Sequence, residues 1–567
     1  MKCLSWPRQR TYLLLFLVLL LVSGGCDLTP PPILLPQPTS TPVPSPTPSL
    51  PARPRGGTLT IRLLGDVPQL NPWLNAGNRD ADAVSSLIFA GLTRLDNHLQ
   101  PQPDLAERWD VSQDGTTLTF YLRKDVLWHD GKPFTAEDVV WSYRTMLGIS
   151  SSYHSLLRIQ EIVQSVEAVE PVTSTVRFKL KSRNSPLLSD LSMPVLPSHI
   201  LSGTTPDKLA QSSFNDGPIG TGAFSFDTRQ AGKSITLTAN ERYFGGRPAI
   251  DRVAFLVAPD EDVSMSALRD GTLMVAELSP AEAERLVAEQ AGFRGGAYDE
   301  LGYDFIGFNL REPRPFSDTR LRRAWALALD KPGLTFTAAG SGANPVWSDV
   351  NRASWAYNPD VPKPGSNPDE ARKLLAEAGW ADTNGDGIVE KDGKPLEVSL
   401  FVRPDNAVRR KAAEAMVAPL QNVGIRVKVD LADFNTALLA RISPLSRPPF
   451  DFDVVMLGWT RSGVDPDPYA LFHSSQIPTS AAPQLLNFTG FAAPEYDTLT
   501  IEARSTYDFT RRKEIYARMQ SIIASELPYY FLWAEKFGVV AAPQLKGDID
   551  FNSPRYIWNA AQWYIEP

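Results

Sequence analysis

Between Asp104 and Leu147 the residue order leaves little choice of local structure. Gln113, Asp114 and Gly115 supply a tight turn. After it Leu118, Phe120 and Leu122 alternate with Thr119, Tyr121 and Arg123, the period of a half-buried strand. A second turn follows at His129, Asp130 and Gly131. Thr135 stands three residues before Asp138, so its hydroxyl is placed to cap free backbone N–H groups while the carboxylate sits at the positive end of a helix. A helix is predicted from there, with Val139, Val140, Tyr143 and Leu147 on its inner face at steps of three and four.

This order of pieces resembles the signature region of family 5 of the extracytoplasmic solute-binding proteins, which serve peptide and nickel ABC importers. The resemblance rests on Leu105–Trp109 (LAERW), Leu122–Lys124 (LRK), His129–Gly131 (HDG), Pro133–Val139 (PFTAEDV), Trp141–Tyr143 (WSY), and again on Pro218–Phe224 (PIGTGAF). It implies an α/β protein with a two-lobed periplasmic-binding-protein type II (Venus-flytrap) fold and an extra subdomain in the first lobe. In that scheme residues 56–80, 205–305 and 526–567 form the first lobe, 81–204 the extra subdomain and 306–525 the second lobe. The hinge falls at Tyr303–Leu310. No catalysis and no cofactor are implied.

The first 26 residues are compositionally different. Lys2, Arg8 and Arg10 precede an apolar run of ten residues, Leu13–Val22. As a helix such a run rises only about 15 Å against a hydrocarbon core of about 30 Å, which makes it a secretion signal rather than an anchor helix. Ser23, Gly24 and Gly25 before Cys26 resemble a lipoprotein box, in which the cysteine is acylated and becomes the mature N-terminus, although Ser23 stands where the box usually carries Leu or Val. The alternative is an ordinary signal peptide cut near Gly25. Because Cys3 leaves with the signal, no internal disulfide can form. Loss of three positive charges takes the formal charge from −8 to −11, which argues against a nucleic-acid partner.

Residues 27–55 read as a tether. Eleven prolines between Pro30 and Pro54, mixed with Ser and Thr, favour extended chain over a packed core. Together these segments place a monomer outside the cytoplasm, lipid-anchored to the outer face of the cell membrane, or periplasmic where an outer membrane is present.

The resemblance nominates ligand-binding residues: Asp66 and Val67 in the loop after the strand at 56–65, Tyr153 and His154, Phe434 and Arg441, and Trp459 with Thr460 and Ser462. Three places have a plainer reading as well, Asp66 as a solvated turn residue, Tyr153 and His154 as a core aromatic site and Arg441 as an exposed helical arginine. An indole at 459 suits packing on a bound solute, because it buries a large area at little entropic cost. In peptide-binding members the resemblance puts an Asp at position 462 and an Arg at 456, and this chain has Ser462 and Met456. Asp465 and Asp467 substitute for that missing acid only if the loop path brings them round. The ligand is left open among peptide, nickel chelate, oligosaccharide and other small solutes. The five histidines form no ligand-spaced pair.

Two further motifs weaken on inspection. Ala231–Ser234 (AGKS) ends like a phosphate-binding loop, but Asp227 occupies the place of its first glycine, so a hairpin turn is predicted. Asp382, Asn384 and Asp386 with Gly387 imitate the first half of a calcium loop, yet Gly393 stands where the twelfth-position Glu belongs, so no complete EF-hand is present and no metal is assigned. The chain also lacks G-x-S-x-G and H-E-x-x-H, which weighs against a secreted hydrolase. The leading expectation is the receptor of an ABC importer that passes a small-molecule or peptide ligand to its permease. A ligand-sensing or chaperone-like lipoprotein without a permease is the alternative.

Overall fold

The strand Thr117–Leu122 buries Leu118, Phe120 and Leu122 and leaves Thr117, Thr119 and Tyr121 half-exposed, the alternation read from the sequence. It pairs with Ala106–Val111 on one side and Thr175–Leu180 on the other, and Val163–Ala168 completes a four-stranded sheet. The helix Ala136–Met146 follows. The Asp138 carboxylate accepts the Thr135 backbone N–H at 2.9 Å, and the Thr135 hydroxyl leans on the same carboxylate at 3.4 Å. These coordinates are a computed structural model that describes residues 54–75, 78–149, 154–169, 174–459 and 465–566. The signal segment, Cys26, most of the tether, Tyr153, Thr460, Ser462 and the His154 side chain lie outside the described residues.

His129 explains why two distant motifs occur together. Its Nδ1 accepts the Gly220 backbone N–H at 3.1 Å and its Nε2 lies 3.1 Å from the Gly222 carbonyl, which fixes the neutral tautomer with hydrogen on Nε2. Gly222 in turn donates its N–H to the Ile88 carbonyl at 2.8 Å, and a Cβ on either Gly220 or Gly222 would collide with the backbone at Leu87 and Ile88. The glycines allow the PIGTGAF segment to press against the end of the helix Arg79–Ile88.

Two larger sheets carry the lobes. The first runs in the order Arg294–Asp299, Trp533–Ala541, Val275–Leu278, Thr58–Leu63, Arg252–Val257, Ser234–Ala239, Phe224–Gln230, with Ala343–Pro345 added against the start of Trp533–Ala541. The AGKS residues lie in the turn between its last two strands, as a hairpin. The second sheet runs Arg426–Leu431, Glu397–Val402, Val454–Trp459, Tyr303–Phe308, Tyr529–Phe531. The chain therefore crosses from first sheet to second at 300–302 and returns at Leu532, a few residues later than residue 526.

Strand directions settle how the sheets face. Thr58–Leu63 is parallel to Arg252–Val257 and Val275–Leu278, and Arg294–Asp299 shares their direction because both it and Val275–Leu278 run antiparallel to Trp533–Ala541. The first crossing thus leaves from the carboxyl edge of the first sheet. It enters Tyr303–Phe308, whose first residue is the ladder partner of Trp459, the last residue of a strand parallel to Glu397–Val402. The crossings join carboxyl edge to carboxyl edge.

Side-chain alternation builds a core on each face of the second sheet. Ile306, Phe308, Val454 and Met456 pack with Trp325 and Leu375 on one side, while Phe305, Val455 and Leu457 pack with Tyr516 and Ile523 on the other. The helices expected from their caps are present, with Asp318 capping Thr319–Ala328 and Asn367 capping Pro368–Glu377. The first sheet shares one continuous core with the four-stranded subdomain, from Leu59 and Ile61 through Phe120 and Phe178. Among the described residues no helix is long and apolar enough to cross a membrane.

Candidate functional site

In open α/β sheets the crevice outside the carboxyl ends of the strands receives ligands, because loops and helix starts converge there. On the first wall Asp66 follows the strand Thr58–Leu63 and pairs with Arg229 at 3.3 Å, and Arg229 also donates to the Pro68 carbonyl at 3.0 Å. The Val67 side chain is fully buried in the core, so only its backbone remains for contact. Nearer the crossing Arg79 lies between Glu277 at 3.4 Å and Glu300 at 3.3 Å, with its guanidinium 3.7 Å over the Phe537 ring.

The opposite wall carries Trp459, Phe434 and Arg441. Trp459 is half-buried and stacks on Phe305 at 6.2 Å, and Phe305 stacks on Tyr529 at 3.9 Å. Phe434 opens a five-residue π-helical turn, Phe434–Leu438, capped by the Asp433 carboxylate on the Asn435 and Thr436 N–H groups. Arg441 is already paired, with Asp451 at 3.0 Å, and rests 4.5 Å above Phe401. Trp459 and Phe434 pack against the core cluster that also holds Phe401, so these three candidates share one side of the second sheet. Asp66 belongs to the other lobe. Met456 is fully buried on the reverse face, so its side chain does not share a face with Trp459.

At the edge of the first sheet is a cavity of about 260 Å³, bounded by Asn97 and His98 of the subdomain, Tyr298 and Asp299 at the end of the first-sheet strand, Asn351 and Arg352 from the segment after Ala343–Pro345, and Asp550; among the described residues no second-sheet residue lines it. Arg352 meets Asp299 at 3.4 Å, and the Asn344 amide donates to the same carboxylate at 2.5 Å. Burial raises the Asp299 pKa, and these two partners oppose the rise. None of these residues was singled out from the sequence, because each sits in a segment whose position is set by tertiary packing.

Residues 100–479 match the family described as bacterial extracellular solute-binding proteins, family 5 middle. The chain belongs to family 5 of these solute-binding proteins.

Within the family the chain is 31% identical over 517 residues to oligopeptide-binding protein AppA of Bacillus subtilis (strain 168), covering 90% of this chain and 92% of that one. The structure of the Bacillus subtilis protein in complex with a nonapeptide superposes with a TM-score of 0.66 at 28% identity, over 91% of this chain and 100% of that one. NikZ from Campylobacter jejuni in complex with Ni(L-His) gives the same TM-score and identity over 89% of this chain and 99% of that one. The fold is thus the two-lobed α/β architecture of family 5, with its extra subdomain in the first lobe.

Two details of this family 5 chain depart from the sequence reading. Asp465 and Asp467 do not turn toward a ligand amine, because arginines hold both. Arg512 binds Asp465 at 2.8 Å, while Arg504 and Arg158 each bind Asp467 at 2.9 Å. Burial works against the Asp467 charge, but Arg504 and Arg158 outweigh it and hold the carboxyl at about 2. Arg158 also binds Asp190 at 2.6 Å, and Ser189 donates to Asp465 at 3.2 Å, so the subdomain and the second lobe share one buried ionic network. In the Asp-Gly loop, Asp382 and Asp386 are joined by Glu390 rather than by a twelfth-position residue, with carboxylate oxygens within 4.8 Å of one another. The Asp382 oxygens accept the Gly385 and Gly387 N–H groups at 2.7 and 3.0 Å, Asn384 donates to Glu390, and Asp386 pairs with Arg426 at 3.3 Å.

Proposed function

We propose that this family 5 protein is the substrate-binding lipoprotein of an ABC importer, which captures a peptide-like or other small solute between its two lobes and delivers it to a membrane permease. The observation that carries this reading is the pair of crossings at 300–302 and Leu532, which join the carboxyl edge of the first sheet to that of the second. A solute that touches both walls binds the closed arrangement better than the open one and shifts that equilibrium by its differential affinity. The likeness to an oligopeptide-binding protein supports a peptide-like ligand. On the second wall Trp459 offers a stacking surface, with Phe434, Thr460 and Ser462 nearby in sequence or packing, and Asp66, the Val67 backbone, Tyr153 and His154 serve from the first lobe. Arg441 takes part only by exchanging Asp451 for a ligand acid.

In this reading acylated Cys26 fixes the protein to the outer face of the membrane, and the proline-rich tether holds the binding body away from it as a monomer. The protein binds and releases, and performs no chemistry on its ligand. A thermal-shift screen with peptides of two to nine residues, a nickel–histidine chelate and haem tests the reading. One class should raise Tm in a dose-dependent way, as mass action requires. Absence of a shift with every class contradicts it. Incorporation of labelled fatty acid, lost in Cys26→Ser, tests the anchor.

A further inference from the structure

The seam where the appended subdomain meets the second lobe is closed by polar groups. Arg158 lies in the helix His154–Ile162 and Asp190 ends the short helix Leu187–Asp190. Asp465 and Asp467 face them from the second lobe, backed by Arg504 of the helix Pro494–Ser505 and Arg512 of the helix Phe509–Glu526. The Ser185 N–H and hydroxyl donate across the seam to the Arg504 and Ala503 carbonyls at 2.7 and 3.1 Å, and the Tyr507 hydroxyl donates to the Gly115 carbonyl at 3.1 Å. The buried apolar residues on the two sides belong to separate cores, Ile159, Leu187 and Leu191 to the first and Tyr496, Ala503 and Tyr516 to the second.

Each side of the seam is electrically complete without the other. Arg158 holds Asp190 at 2.6 Å on the first side, while Arg504 holds Asp467 at 2.9 Å and Arg512 holds Asp465 at 2.8 Å on the second. Parting the seam breaks Arg158–Asp467 at 2.9 Å and Ser189–Asp465 at 3.2 Å, yet leaves every one of these charges with a partner. A simple buried ion pair behaves differently, because pulling it apart strands both charges. Water also takes over the hydrogen bonds of a polar seam as it opens, and two separate cores stay intact, so such an interface parts and re-forms where an apolar one holds fast.

We infer that the contact between Arg158 and Asp467 is a releasable latch, which holds the two lobes closed in the ligand-free protein and slows the escape of a captured solute. The subdomain shares its core with the first sheet, and the chain passes between the sheets at 300–302 and Leu532, so a swing about those crossings carries Arg158 away from Asp467. Asp465 and Asp467 follow the strand that ends at Trp459, so the latch fastens the same part of the second lobe that offers the indole. The latch shifts the open–closed equilibrium toward the closed form before any solute arrives, and a solute that touches both walls adds to that bias. This assignment rests on the solute-receptor reading above.

Spin labels on Glu161→Cys and Ile501→Cys, two exposed positions flanking the seam, report its width by double electron–electron resonance once Cys3→Ser and Cys26→Ser have removed the native thiols. Without ligand the latched protein should give one short distance. The pair Arg158→Gln and Asp190→Asn removes the first-lobe half as a neutral unit and should lengthen that distance by more than about 2 Å, the scale of a domain rearrangement. Peptides of two to nine residues, a nickel–histidine chelate or haem, whichever raises Tm of the latched protein, should bring the variant back to the short distance. An unchanged distance in the folded variant, or a ligand-free latched protein already as wide as the variant, overturns the latch. Should the charge variant fail to fold, Ser189→Ala with Tyr507→Phe decides instead, because it removes two hydrogen bonds across the seam and no charge: a longer distance upholds the latch and an unchanged one overturns it. A variant that opens while none of the three probes closes it upholds the latch and contradicts the receptor reading.

Discussion

Arg158 of the appended subdomain meets Asp467 of the second lobe at 2.9 Å, with both side chains only 3% exposed. Three guanidinium groups, from Arg158, Arg504 and Arg512, face three carboxylates, from Asp190, Asp465 and Asp467. The balance of charge matters more than the number of pairs. Removing one partner strands a charge away from water, and that penalty exceeds what any surface pair can return.

Arg158→Met should therefore lower the unfolding free energy by about 3–5 kcal/mol in urea titration, as expected when one member of a buried pair is lost. The exposed pair Arg518–Glu495, at 2.7 Å with both side chains 57% exposed, is the control, and Arg518→Ala should leave the midpoint unchanged. Because Asp467 is held at about 2, below its unfolded value, its contribution is present above pH 4 and is lost as pH falls toward 2.

His129 gives the opposite pH range a signature. Burial lowers its pKa from the ordinary histidine value, and the neutral ring is locked by Gly220 and Gly222. Below about pH 6.5 the unfolded chain takes up a proton that the folded ring resists, so stability falls with pH. Tm measured between pH 7.5 and 5.5 should decline in wild type and decline less in His129→Gln.

Gly222→Ala should destabilise by about 1–3 kcal/mol, the usual range for forcing a carbon into a packed site, because the new Cβ runs into the helix end at Leu87 and Ile88. Thermal unfolding reads the effect. An unchanged Tm would mean that the PIGTGAF segment does not press on that helix.

Trp459→Ala should weaken binding of the ligand identified by mass spectrometry by more than about 1 kcal/mol, as for an aromatic anchor at a binding surface. Titration calorimetry measures this. Its stack on Phe305 makes a modest stability loss expected as well, so affinity is compared at a temperature where both proteins are folded.

Much of the fold was legible where local patterns and global packing agree. The alternation at Leu118, Phe120 and Leu122, the caps at Asp318 and Asn367 and the hairpin at Gly232 all depend on neighbours in sequence. Thr135 and Asp138 form the expected box, the Thr135 side chain taking the Asp138 backbone N–H and the Asp138 carboxylate taking that of Thr135. The site was less legible. Asp465 and Asp467 look available in the sequence, and only the fold brings Arg512 to Asp465 and Arg158, from more than three hundred residues away, to Asp467. Glu390 joins Asp382 and Asp386 because its short strand folds back on the loop, at the ninth position counted from Asp382, whereas the sequence reading looked for an acid at the twelfth.

Native mass spectrometry of protein purified without added ligand tests solute capture most directly. One bound small molecule per chain is expected, released on denaturation and depleted in Trp459→Ala. A wild-type spectrum showing only the bare chain, unchanged after incubation with peptides, nickel–histidine chelate and haem, would contradict solute capture between the two lobes.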